Sequence, residues 1–188
     1  MTHHITYHLT QNSIELKQIK SLQAQHQKNA VPKNLWASQG FVTAEYTLQF
    51  LEEMHLQNPA VIAKHQDKVM GYALVADRSS VGKHPLLDNL FYHIDLLEYN
   101  GHSLAAVNYT VVGQLCVGHT FSGQGVAQNL YKHYQHCYAA RFPYCITDVD
   151  RNNPRSLKTH IRAGFQRLHT ISYGGASWDI VLWDWHST

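Results

Sequence analysis

Long apolar runs, basic tracts and paired cysteines are all missing from this 188-residue sequence. No apolar stretch approaches the roughly 18 to 20 residues that cross a bilayer. The opening MTHHITYHLTQ has no cationic segment leading into an apolar one, so neither a membrane partner nor a targeting segment is expected. Lys and Arg number 15 against 13 Asp and Glu, a formal net charge of +2. Without a basic tract there is no electrostatic footprint for a nucleic acid. The three cysteines, Cys116, Cys137 and Cys145, form no CxxC pair and cannot all pair within one chain. That usage fits a reducing compartment, and a cytoplasmic location is the expectation. Repeats, low-complexity tracts and linkers are absent too, so residues 1–188 read as one domain with one core.

What is present is an ordinary globular composition, 44% hydrophobic, with an unusual fifteen histidines. ITYHLT alternates like a short strand, and Asn12 followed by Glu15 marks a helix start. Leu16, Ile19 and Leu22 recur at helical spacing, which predicts a first helix to about residue 29. Pro32 and Gly40 break that period, and Thr43 is a fitting N-cap for a second helix carrying Leu48, Leu51 and Met54. AVIAKHQDKVMGYALVA predicts an antiparallel hairpin, and the segment from His84 to Leu104 is expected to be partly helical. AAVNYTVVGQLCV predicts a long strand, and Val126, Leu130, Tyr134 and Cys137 a helix after it. CITDVD predicts a strand and NPRSLKTHIRAG a helix with Pro154 in its first turn and Gly164 at its stop. FQRLHTISY and SWDIVLWDW close the chain as two strands across a YGGA turn. The sum is an α/β (α+β) fold with a central mixed sheet of about seven strands and four or five helices.

Between the long strand and its helix lies GHTFSGQGVAQNLY. A glycine loop before a helix exposes unpaired amides at the positive end of the helix dipole, which suits an anion. A triphosphate loop needs GxxxxGK and then Ser or Thr, but Gln124 and Gly125 stand where the Lys and the hydroxyl belong. A dinucleotide fingerprint needs a third glycine where Gln128 stands, and too little chain follows for such a domain. A pyrophosphate of coenzyme A, or a plain tight turn made by Gly118, Gly123 and Gly125, remains.

SGQGVA, Ser122 to Ala127, resembles the coenzyme-binding loop Q/R-x-x-G-x-G/A of the GCN5-related N-acetyltransferases. NPRSLKTHIRAGF, Asn153 to Phe165, resembles that family's second motif, in which Asn and Ser or Ala precede a helix ending in Gly-Phe. The element order matches over about residues 5–185, with residues 81–103 as extra material before the long strand. The resemblance implies acetyl-CoA as cosubstrate, with no metal, and direct transfer of its acetyl group to a primary amine on a small molecule or a peptide. A noncatalytic acyl-CoA binding or sensing module is the alternative.

By the same resemblance, amides of Phe121, Ser122, Gly123, Gln124, Gly125 and Val126 would wrap the pyrophosphate, with Ala127 completing the motif. Leu115, Cys116 and Val117 would line the pantetheine arm, Asn153 would hydrogen-bond it and Ser156 would pack against it. Ser122 replaces the family's long donor. His160 stands where many members carry the Tyr that protonates the leaving thiolate, and as imidazolium it could supply that proton. Tyr109, Asn108 and Glu45 are candidates for handling the acceptor, and Trp36, Phe41 and Tyr173 for an aromatic wall. His133 and His136 share a helix face at metal-binding spacing without a partnering ligand nearby, and His3 with His4 lies at the terminus. Trp178, Trp183 and Trp185 on the last strands make a candidate homodimer surface.

Overall fold

The computed structural model describes residues 4–186, so His3 lies outside the described residues. One seven-stranded sheet in the order β1-β2-β3-β6-β7-β9-β8 organises the molecule. Its strands are β1 (Ile5–Leu9), β2 (Val61–His65), β3 (Lys68–Ala76), β6 (Tyr109–Val117), β7 (Tyr144–Asp150), β8 (Gln166–Tyr173) and β9 (Ala176–Asp184). Every pairing is antiparallel except β6 with β7. A small separate hairpin, β4 (Glu98–Tyr99) and β5 (His102–Ser103), sits in the extra segment before β6.

One face of the sheet packs on α1 (Ser13–Gln25), α3 (Leu48–Gln57) and α4 (Pro85–Asp95) through a cluster that includes Leu16, Ile19, Leu51, Leu87, Leu90, Tyr109, Trp178 and Ile180. The other face packs on α5 (Val126–Tyr138) and α6 (Pro154–Ala163) through Leu130, Tyr131, Tyr134, Phe165, Trp183 and Trp185. With α2 (Trp36–Gln39), a single turn inside the Pro32–Gly40 break, the described residues form six α-helices where four or five were expected.

Local chemistry sets the helix ends. Asn12 caps α1 by accepting from the Glu15 amide at 3.1 Å, and the Glu15 carboxylate reaches back to the Gln11 amide at 2.7 Å. The cap of α3 is Thr47, which accepts from Phe50 at 3.1 Å, rather than Thr43. Both threonines suit the role, and the core face formed by Phe50, Leu51 and Met54 selects the later one. Gly164 ends α6 at φ 117°, and a Cβ there would lie 2.6 Å from Trp183 Nε1. The three tryptophans do not form an exposed dimer surface. They are buried within the chain, Trp178 on one face of the sheet and Trp183 and Trp185 on the other.

The feature that positions the site is the short contact between β6 and β7. They pair only over Tyr109↔Tyr144, Thr110↔Cys145 and Val111↔Ile146. Beyond that, β6 stays on β3 and β7 stays on β9, so the two strands splay. A bulge at Gly113 bends β6 here, since Leu74 faces Gln114 while Val75 faces Val112. The freed Gly113 carbonyl accepts from the Tyr46 hydroxyl at 2.8 Å.

Candidate active site

The splay opens a cleft of about 740 Å³ whose walls include Leu115, Cys116, Val117, Phe121, Ser122, Gly123, Gly125, Val126, Ala127, Asn153, Ser156 and the segment 37–42. Most of the residues expected to hold the coenzyme are therefore brought together. At Leu115–Val117 the edge of β6 turned toward β7 has left its strand partner, so its backbone polar groups face the cleft.

The glycine loop is sorted by its own hydrogen bonds. Amides of Phe121, Ser122 and Gln124 close short turns onto Gly118, His119 and Phe121 carbonyls at 2.9, 3.1 and 3.4 Å. Those three are thus not the wrapping donors expected from the sequence. Gly123, Gly125, Val126, Ala127 and Gln128 carry the amides with no backbone partner among the described residues. Gly123 and Gly125 adopt φ of 79° and 76°, and a Cβ on either would meet nothing within 4 Å. Their glycine character follows from the backbone turn that aims these amides, since space is not limiting. Gln124 turns away, donating to the Thr120 carbonyl at 3.0 Å, and is replaced in the wall by Gln128.

Charge arrives from α6. Arg155, Lys158 and Arg162 lie at i, i+3 and i+7 and all line the cleft, with no acidic residue among its walls. Arg155 crosses the opening, donating to the Ser122 hydroxyl on one side and the Ser38 carbonyl on the other. A cation thus stands against the residue that replaces the family's long donor. Buried His26 also lines the cleft. Its Nδ1 bonds the Leu22 carbonyl at 2.9 Å, and its Nε2 has no partner among the described residues. Burial lowers its pKa, so it offers a neutral polar atom to a ligand. Free amides, a basic helix face and an orphaned polar atom in one cleft fit a polyanionic coenzyme with a polar arm.

Asn153, only 4% exposed, is held by the fold on both sides of its amide. Its Oδ1 caps Ser156 at 3.1 Å and its Nδ2 donates to the Phe41 carbonyl at 2.9 Å, leaving one amide hydrogen for a ligand. Cys116 is buried and its thiol is pushed up to about 12 by desolvation, so it is no nucleophile.

A second, smaller chamber of about 80 Å³ adjoins the cleft, sharing Phe41, Val42, Leu115, Asn153 and Ser156 with it. His160, Asp148, Tyr173, Tyr46 and Trp178 line it, with Leu86, Leu87 and Leu90 from the extra segment. His160 is buried between Tyr131 and Phe165, and desolvation lowers its pKa to about 4. Its Nδ1 donates to the Ser156 carbonyl one turn back at 2.7 Å. The imidazolium acid expected from the sequence is therefore not the form present near neutral pH. A neutral ring remains, with Nε2 as the nitrogen not engaged by the helix.

Tyr109 is not part of the site. It lies where β6 still pairs with β7, 1% exposed, with its hydroxyl on Asp95 at 2.9 Å and its ring stacked on Phe91. Asn108 donates to the Arg141 carbonyl, and Glu45 is an exposed partner of Lys20. Neither lines either chamber. Of the aromatic wall, Phe41 and Tyr173 line the second chamber, while Trp36 packs behind Phe41 at 4.9 Å. The His133 and His136 rings stand 6.1 Å apart, and no group of three or more metal-binding side chains occurs among the described residues. Asp148, Arg155, Lys158, Arg162 and His26 are site residues that sequence reasoning missed.

Seven strands in this order, a splayed β6–β7 pair and a glycine loop opening α5 decide the architecture. The fold is that of the GCN5-related N-acetyltransferases. Arabidopsis thaliana NAA60 in complex with acetyl-CoA superposes on this acetyltransferase fold with a TM-score of 0.65 at 13% identity, covering 96% of this chain and 99% of that one. A GNAT-family acetyltransferase from Streptococcus agalactiae gives 0.64 at 16% identity, with 96% and 95% covered. A chain of the NatC complex bound to Gag peptide and CoA gives 0.64 at 13% identity, with 96% and 98% covered. By sequence, the chain matches no family model and no curated protein. No helix among the described residues is long and apolar enough to cross a membrane.

Proposed function

We propose that the chain transfers the acetyl group of acetyl-CoA to a primary amine, directly, with both substrates bound at once. The observation that carries this reading is the junction of the two chambers at Leu115, Phe41, Val42, Asn153 and Ser156. A coenzyme held by the loop amides and α6 in the larger chamber would end its acyl arm at that junction. An amine in the smaller chamber would then meet the thioester carbonyl without leaving the protein, so no covalent relay is needed. The buried Cys116 thiol offers no such relay. Solved relatives of the fold carry acetyl-CoA or CoA, which agrees with the cleft's chemistry.

Acetyl transfer needs a neutral amine, a site for the carbonyl oxyanion and a proton for the departing sulfur. The open edge of β6 at Leu115–Val117 presents amides for the oxyanion. Neutral His160 orients the junction and can accept a hydrogen bond at Nε2.

Acetyl-CoA at a hundred times its Kd should stabilise the protein by about 2.7 kcal/mol. Thiol should appear when amine is added. No change in Tm with acetyl-CoA or CoA would overturn the coenzyme assignment, and binding without thiol release on any amine would remove the transfer.

A further inference from the structure

Apart from one Asn153 amide hydrogen and His160 Nε2, most polar groups of the second chamber are engaged by the fold. Gln114 donates to the Ala44 carbonyl at 2.7 Å and accepts from Tyr72 at 2.5 Å and Gln23 at 3.0 Å. Thr147 is bonded to the Val112 carbonyl at 2.9 Å, Tyr46 to the Gly113 carbonyl at 2.8 Å and Trp178 to the Tyr173 carbonyl at 3.2 Å. Asp150 is neutralised by Lys28 at 2.5 Å and accepts from Asn152 as well. Asp148 differs. Its carboxylate takes the Tyr173 hydroxyl but forms no ion pair among the described residues. It stands on β7 beyond the last β6–β7 pair, opposite Ile180 of β9, in a chamber whose apolar wall includes Leu86, Leu87, Leu90, Phe41, Val42 and Trp178.

A carboxylate without a cation in an apolar chamber is unfavourable unless a ligand supplies the cation. A polyhydroxylated amine would exchange its water for few partners, chiefly the one Asn153 amide hydrogen and His160 Nε2. Building on the acetyl-transfer reading, we propose that Asp148 receives the acceptor as a primary ammonium on a compact hydrocarbon or aromatic carrier, and removes its proton for attack.

The step balances as follows. The Asp148 carboxylate takes one proton from the ammonium. The freed nitrogen lone pair forms the N–C bond at the thioester carbonyl as the C–S bond breaks. The second nitrogen proton goes to the departing thiolate, and Asp148 returns its own to solvent.

Burial pushes the Asp148 carboxyl up to about 6, with the Tyr173 hydrogen bond pulling the other way and Asp150 adding to the rise. The same desolvation lowers the pKa of a bound ammonium, which narrows the gap the proton must cross. The other titratable groups around the chamber are Tyr46 before α3, His84 against Tyr46, His93 of α4 against Tyr173, and His160 of α6. Both tyrosines have raised pKa values and stay neutral, and burial keeps His84 and His160 uncharged near neutral pH.

The test uses the full chain with acetyl-CoA, reading thiol release from 2-phenylethylamine, hexylamine, spermidine and glucosamine, with acetyl-CoA binding measured separately. 2-Phenylethylamine or hexylamine should exceed glucosamine in kcat/KM at least tenfold. Asp148→Asn should lower kcat/KM for the best amine by a hundredfold or more, with acetyl-CoA affinity within twofold of the parent. For the parent, kcat/KM should rise with pH through about 6, the pKa to which the site lifts this carboxyl. Asp148→Asn should lose that limb, and Tyr173→Phe should move it to higher pH because the hydroxyl no longer favours the charged form. An unchanged turnover and pH profile in Asp148→Asn overturns the inference. So does preference for glucosamine, or turnover of none of the hydrocarbon amines by a protein that binds acetyl-CoA. Failure of the parent to bind acetyl-CoA overturns instead the reading on which the inference rests.

Discussion

At the scale of single residues, the most informative contact is Arg155 against Ser122. Ser122 occupies the loop position where the family's long donor is usual, and Arg155 brings a guanidinium to the same place from the first turn of α6. Arg155→Ser should weaken CoA binding about tenfold, the loss of one charge-assisted hydrogen bond. Ser122→Arg in that background should recover most of it, because the charge is needed at a point in space and not at a point in the chain. Isothermal titration of the parent and the two variants at one salt concentration checks this, and equal affinities throughout would remove Arg155 from the coenzyme site. The glycines were legible in the sequence because a backbone turn with positive φ leaves a compositional mark. Arg155 was not, since a cation in a helix is usually a solvated face, and its meaning comes only from Ser38 and Ser122 across the cleft. Asp148 was hidden in the same way: CITDVD reads as a strand whichever face its carboxylates point to.

At the scale of elements, strands and helices were legible wherever periodicity and turn chemistry agreed. The hairpin β2–β3, the strand–loop–helix of β6 and α5, and the closing β8–β9 pair all stand where the pattern put them. What remained unreadable was tertiary. The bulge at Gly113 and the parting of β6 from β7 depend on which neighbour each strand keeps, and no local pattern encodes that. The sharpest elemental constraint is the stop of α6. Gly164 has φ 117°, and an added Cβ would lie 2.6 Å from Trp183 Nε1 and 2.9 Å from its Cε2. Both strain and overpacking oppose Gly164→Ala, which should destabilise the protein by about 2 kcal/mol or more. Urea denaturation should show a lower midpoint with an unchanged slope. A neutral result would mean that the indole moves aside freely, contrary to its packing against Tyr131, Phe165 and Trp185.

At the scale of the whole molecule, two desolvated groups at the site, buried His160 and half-buried Asp148, give stability a pH dependence with opposing signs. His160 titrates at about 4 in the folded chain against 6.5 as its ordinary value. Between those values the unfolded chain binds the extra proton, so His160 lowers stability as pH falls from 6.5 to 4. Asp148 titrates at about 6 against 3.8. Between those values the folded chain binds the extra proton, so Asp148 lowers stability as pH rises from 3.8 to 6. Each is worth at most about 3 kcal/mol, and they largely cancel where the windows overlap. Glu15, Asp77 and Asp95, each held below the ordinary carboxylate range, act at lower pH, where the folded state loses what their ionised forms contribute. Removing one member of the opposing pair should uncover the other. Asp148→Asn should be more stable than the parent at pH 7.5, by about 1 to 3 kcal/mol, with the gain disappearing as pH falls toward 4. A residue kept only for the fold would show a loss at every pH, so the difference curve from urea denaturation separates the two. A gain in stability coupled to a loss of turnover is the expected mark of a carboxylate kept for chemistry at the expense of the fold.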